Sequence, residues 1–294
     1  MRITTNMMAT LSIADLQQNL AQVNASRDQV STGLQVQAMS DNPGAASQVM
    51  QASSTLRALT QYKTSIQAGT ARAQAEETTL DSLTNILSRA KELAISQGTS
   101  TADSSTMAQT KAEVDQLLDE ARSLGNTQFE NGYLFGGNDS QTLPFPSDTP
   151  PFTNAAPPAG QPQTEIGSGQ YSPSSHNGTQ VFVNTGALQS LYDLDQALGS
   201  NDATGIQHSI GELTTAFNGV QGLLGDVGAW QNGFQIASSN IDALSANITV
   251  FKSNLSDADM EASMTDLLTR QNTYQAAMAA TSRVLSLSFT DYLK

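Results

Sequence analysis

Apolar side chains recur three and four positions apart near the start of the chain, at Ile13, Leu16, Leu20, Val23, Val30 and Leu34, with Arg27 filling the one polar place in the series. Steps of this kind keep one stripe of a helix turned toward a partner, so they predict a coiled-coil seam. A second series runs Leu59, Tyr62, Ile66, Gly69, Ala73, Glu76, Leu80, Leu83, Leu87, Ala90 and Ala94, and a third Val114, Leu117, Ala121 and Leu124. The pattern resumes with Leu188, Leu191, Leu194 and Leu198, then with Ile241, Leu244, Ile248, Phe251 and Leu255. Met260, Met264, Leu267, Gln271, Tyr274, Met278, Thr281 and Leu285 form the last series. Before it, "SDAD" reads as a capping box, with Ser256 as N-cap and Asp259 three residues on.

Proline marks where this pattern stops. Of nine prolines, Pro43 stands alone and eight fall between Pro144 and Pro173. Around Pro43 the sequence is "SDNPGAAS". Gly33 is placed to end the first helix, and Ser40, Asp41, Asn42, Pro43 and Gly44 to form a turn. Pro43 pushes Asn42 out of the helical region, Gly44 adds backbone freedom, and Pro43 can itself open the next helix. In the proline-rich middle, "TQVFVNTG" (179–186) alternates like a strand. The predicted fold is mainly α: an elongated helical hairpin or coiled-coil bundle built from both chain ends, with a small β-containing insert. Its expected parts are terminal arms at 1–40 and 258–294, a helical body at 41–137 and 186–257, and an outer β/loop domain at 138–185. Gly33, Asp41, Asn42, Pro43 and Gly44 form the joint between arm and body.

Charge sharpens the picture of the arms. Net charge is −14, yet only 14% of residues are charged, and no Lys or Arg lies between Arg122 and Lys252. Such a chain has no electrostatic footprint for nucleic acid or anionic lipid, and no stretch is long and apolar enough for membrane insertion. Residues 1–40 carry four charges, while seventeen of the forty are Ser, Thr, Asn or Gln. An outer face of this kind desolvates more cheaply than a charged one, so it suits burial against other subunits. The N-terminus "MRITTNMMATLSIADL" lacks the apolar core of a cleaved secretory signal.

Catalytic chemistry finds little support. There is no cysteine, and neither His176 nor His208 has a neighbouring ligand at metal-site spacing, so both are expected in loops or at the surface. Asp257, Asp259 and Glu261 alternate like the start of a calcium loop, but Ala262 and Leu268 stand where Gly and Glu are needed. "GVQGLLGDVG" (219–228) has no preceding strand and predicts a close helix contact or a broken helix. Trp230 is expected in core packing. The chain is read as no enzyme, with no cofactor and no metal. Its candidate assembly positions are Ile13, Leu16, Leu20, Val23, Val30, Leu34, Met260, Met264, Leu267, Tyr274, Met278 and Leu285.

Five segments in order, "MRITTNMM", "VSTGLQVQAMSDNPGAAS", "AEETTLDSLTNILSRAKELAISQGT", "LGNTQFENGYLFGGNDSQTLPF" and "SDADMEASMTDLLTRQNTYQAAMAATSRVLSLSFTDYL", resemble the bacterial flagellin superfamily. The "MRIT" start, the "GYLFGG…LPF" segment and the short middle are more similar to its hook-filament junction branch than to filament subunits. The resemblance implies an extracellular flagellar protein, exported through the flagellar type III apparatus without signal cleavage. It implies that residues 1–34 and 260–294 pair in an inner tube, that helices within 45–130 and 187–255 form the next shell, and that the insert lies outermost. The partners it implies are further copies in a ring-like layer, flagellin, the adjacent hook-associated junction protein, and an export chaperone bound through C-terminal helices within 230–294. Two other readings, a filament subunit and a cytoplasmic signalling coiled coil, predict respectively assembly along the whole filament and a charged hairpin without an insert.

Overall fold

The structure, a computed structural model, describes residues 2–98, 104–154 and 156–292. Helix α1 spans Arg2–Thr32, α2 Pro43–Gly98 and α3 Ser104–Gly125. Two short antiparallel hairpins follow, β1 (Gln128–Phe129) with β2 (Gly132–Tyr133), and β3 (Gln163–Gly167) with β4 (Gln170–Pro173). A π-helical turn at Thr179–Val183 leads into α4 (Ala187–Gly199), α5 (Ala203–Ser256) and α6 (Met260–Tyr292). The mainly helical architecture with a small β region in the middle is the one the periodicity predicts.

Residues 58–243 form one compact unit; the other combines residues 1–57 with 244–294. The 58–243 unit has an ordinary apolar core. On α2, Leu59, Ile66, Ala73, Leu80, Leu83, Leu87, Ala90 and Ala94 are buried, as the second series predicts. Helix α5 contributes Ile206, Leu213, Val220, Val227, Phe234 and Ile241, at heptad-related spacing. Helix α3 packs on α4, where Leu188, Leu191, Leu194 and Leu198 are buried. Each such Leu contributes about 1.5–3 kcal/mol relative to an exposed one.

The middle segment owes its order to three rings. Phe182 meets Phe135 and Phe145 edge-on, with centroids 5.2 Å apart in both pairs. Asn126 fixes Phe145 by its backbone: its side-chain amide donates to the Phe145 carbonyl and its carbonyl accepts the Phe145 N–H, both at 2.9 Å. The strand expected at 179–186 is instead the π-helical turn. Asn177 and Gln180 cap one another, Gln180 N–H to Asn177 Oδ1 at 2.9 Å and Asn177 N–H to Gln180 Oε1 at 3.1 Å. That reciprocal pairing opens a helical turn and buries Val181 and Phe182 together, where a strand would have put them on opposite faces. The glycine-rich 219–228 stretch is uninterrupted α5, not a broken helix, and its glycines make no close helix contact although Val220 and Val227 are buried. A Cβ at Gly222, Gly225 or Gly228 would meet nothing within 4 Å, and one at Gly219 would meet only Thr185 at 3.3 Å.

Candidate assembly surface and its joint

In the terminal unit, α1 packs along α6. The covered positions of α1 are Ser12, Leu16, Asn19, Val23, Ser26 and Val30, and those of α6 are Ser263, Leu267, Arg270, Tyr274, Ala277 and Thr281. Both follow heptad steps, but seven of the twelve members are small or polar. Ser26 Oγ donates across the pair to Asp266 Oδ2 at 2.8 Å, and Arg270 Nε donates to the same oxygen at 2.6 Å. The Ser26 hydrogen bond, with Arg270 adding to it, holds the Asp266 carboxyl below its ordinary range.

Of the positions named from sequence, Leu16, Val23, Val30, Leu34, Leu267 and Tyr274 are half-buried. Ile13 (47% exposed), Leu20 (41%), Met260 (40%), Met264 (53%) and Met278 (42%) turn outward. The side chain of Leu285 lies outside the described residues. The seam therefore runs one position off the strongest apolar series at Ile13 and Leu20, because Ser12, Asn19 and Ser26 occupy the inner places.

Among the described residues, thirteen of the eighteen large apolar side chains that stand exposed belong to this unit: Met7, Leu11, Ile13, Leu20, Met39, Met50, Leu244, Val250, Phe251, Met260, Met264, Leu268 and Met278. Its buried apolar residues, among those described, are Ala46 and Ala52. The unit thus half-buries a seam of mixed apolar and small polar groups while large apolar groups stand outside, unlike a helix pair built to stand alone in water.

The break between α1 and α2 and the break between α5 and α6 both lie within the terminal unit. Gly33 adopts φ +70°, a left-handed conformation that ends α1, and its N–H donates to the Gln29 carbonyl at 2.9 Å. Asp41 Oδ2 accepts the N–H groups of Gln37 (3.0 Å) and Ala38 (2.8 Å), which depresses its pKa. Asn42 caps α2 by accepting the Ala45 N–H at 3.1 Å, Pro43 occupies the first helical position, and Gly44 lies within the first turn.

A contact not read from sequence joins the two breaks. Ala258 N–H donates to the Gly33 carbonyl at 2.8 Å, Gln35 N–H donates to the Ser256 carbonyl at 2.8 Å, and Leu34 forms a bridge with Asp257. Ser253 and Ser256 donate to the Asp257 carboxylate, which lowers its pKa. The cap of α6 is Asp259, not Ser256: Asp259 Oδ1 accepts from Glu261 (3.0 Å) and Ala262 (3.1 Å), while Ser256 is the last residue of α5. The missed signal was Asp259 itself, one residue before the apolar series starts.

His208 is exposed beside Glu212 at 3.2 Å, as expected. His176, expected in a loop or at the surface, lies in the loop after β4 but is buried there, with Nδ1 2.7 Å from Glu76 Oε1. Among the described residues no cluster of side chains could hold a metal ion, and no helix is long and apolar enough to cross a membrane.

Fold and surface together define a helical subunit whose two chain ends build one paired arm with an apolar exterior. The bacterial flagellin N-terminal helical region matches residues 3–140 and the C-terminal helical region residues 210–293. The chain belongs to the bacterial flagellin family. It is similar to a 30.7 kDa flagellar filament core protein of Treponema maltophilum, 25% identical over 95% of this chain and 94% of that protein. It is also similar to flagellar hook-associated protein 3 of Salmonella typhimurium, 27% identical over 62% of this chain, and the match spans 57% of that relative's length. Its fold resembles the flagellar junction protein FlgL of Legionella pneumophila, with a TM-score of 0.57 at 14% identity, covering 70% of this chain and all of that one.

Proposed function

We propose that the chain is a structural, non-enzymatic subunit of the extracellular bacterial flagellum, and within it the adaptor at the hook-filament junction. The observation that carries the structural role is the inverted terminal unit. Among the described residues, thirteen large apolar side chains face outward, and the buried apolar groups of the unit are two alanines. At roughly 25 cal/mol per Å², that exterior is worth burying only against other subunits. The junction assignment draws on the similarity to hook-associated protein 3 and on a fold like that of a junction protein.

In this reading copies of the chain form a ring-like layer through α1 and α6. One side of the layer meets the adjacent hook-associated junction protein and the other meets flagellin. The chain reaches that place through the flagellar export apparatus, with its C-terminal helices held by an export chaperone beforehand. Gly33, Asp41, Asn42, Pro43 and Gly44, paired with 256–258, form the joint that lets arm and body pack in separate shells.

A specific observation favours a second reading, filament subunit: the Treponema filament protein matches almost the whole chain. A deletion strain separates the two. A missing junction adaptor leaves filament protein in the culture medium and none attached to cells. A missing filament subunit leaves no filament protein in either place.

A further inference from the structure

In the 58–243 unit lies a buried ionisable cluster that assembly through the terminal arm leaves unused. Glu76 on α2 is fully buried and its carboxylate accepts the backbone N–H of His176 from both oxygens, at 3.2 and 3.1 Å. The same carboxylate takes Nδ1 of His176 at 2.7 Å. On the other edge of the ring, Nε2 lies 3.6 Å from Asp226 Oδ2 on α5. The imidazole also packs on Trp230 of α5, with ring centres 4.5 Å apart and planes tilted by 38°.

We propose that His176 is a proton-operated clasp that fastens the middle segment to α2 and α5, closed when the imidazole is protonated and released on the Asp226 side when it is neutral. An ionised Glu76 has no proton to give, so Nδ1 carries a hydrogen in either state. Only Nε2 changes. As an imidazolium it presents a donor to Asp226, and a cation to the face of Trp230. As a neutral ring it presents a lone pair to a carboxylate, which repels it.

The charged groups around the ring decide the balance. Helix α2 supplies Glu76 and also Arg72, which donates to Ser175 Oγ at 2.7 Å and to the Leu134 carbonyl at 2.5 Å. Helix α5 supplies Asp226, and Glu130 acts on Arg72 from the β1–β2 turn. Glu77, the neighbouring acid on α2, is engaged by Gln231 at 2.7 Å. Two carboxylates thus face one imidazole, with one guanidinium opposing them. Burial raises the Glu76 carboxyl, while its hydrogen bonds and charge contact with His176, and the Arg72 charge, oppose that shift.

Trp230 is the chain's only tryptophan, so its emission reads the clasp without a label. The test follows emission of the full chain between about pH 5 and 8, the range in which histidine changes charge. A single transition is expected, with emission quenched on the acid side, where the imidazolium lies against the indole. His176→Gln abolishes the transition, and Asp226→Asn moves its midpoint to lower pH by removing the carboxylate that favours the proton. Asp226 is 62% exposed, so this variant folds and decides the matter even if His176→Gln does not. A flat profile, a transition that survives in His176→Gln, or an unmoved midpoint in Asp226→Asn each overturns the proposal.

Discussion

Phe145 lies between two glycines. A Cβ on Gly125 would come within 2.6 Å of its ring, and one on Gly178 within 2.9 Å. Gly125→Ala therefore overpacks the three-ring cluster and costs about 1–3 kcal/mol, read as a lower midpoint in urea unfolding. Glu76 gives a second prediction at this scale. Desolvation raises its carboxyl above the ordinary value, with His176 opposing the shift, so the folded chain holds a proton more readily than the unfolded one. A raised carboxyl adds stability as pH falls from neutral toward the ordinary Glu value, and loses it as pH rises. The stability of the natural chain minus that of Glu76→Gln should grow as pH falls toward the ordinary Glu value when urea melts are compared. None of this cluster was legible in the sequence. Glu76 and His176 are a hundred residues apart, and the helical stripe containing Glu76 reads as an ordinary seam with one polar member.

At the scale of elements, helix existence was legible and helix register less so. The periodicity of α2 and α4 matches their buried faces because large side chains decide the packing there. In α1 the count of apolar positions favoured Ile13 and Leu20, yet Ser26 and Asp266 make the hydrogen bond that fixes the pair. Small polar residues allow close approach but leave no hydropathy signal. The joint was legible as a break, through Gly33 and Pro43, whereas its pairing with 256–258 depends on a contact between opposite ends of the chain. That pairing also changes which residue matters most. Pro43 and Gly44 sit in the first turn of α2, where alanine is accepted, so the double change to Ala should leave motility close to normal. Gly33→Ala strains the left-handed end of α1 by about 1 kcal/mol and shifts the carbonyl that accepts Ala258. Swimming in soft agar should be impaired in Gly33→Ala and not in the double variant.

Over the whole molecule, two ways of burying apolar surface coexist in one chain. The 58–243 unit buries most of its own, and the terminal unit leaves much of its own outside. Leu20→Glu should then change the stability of the purified chain by no more than about 0.5 kcal/mol, as for a surface position, while abolishing attachment of filaments to cells. If the exposed face were mere surface, such cells would swim normally. The central claim is the chain's position in the flagellum, and gold-labelled antibody viewed by electron microscopy on intact flagella reads it directly. The account predicts label confined to the boundary between hook and filament, and label running along the filament's length would contradict it.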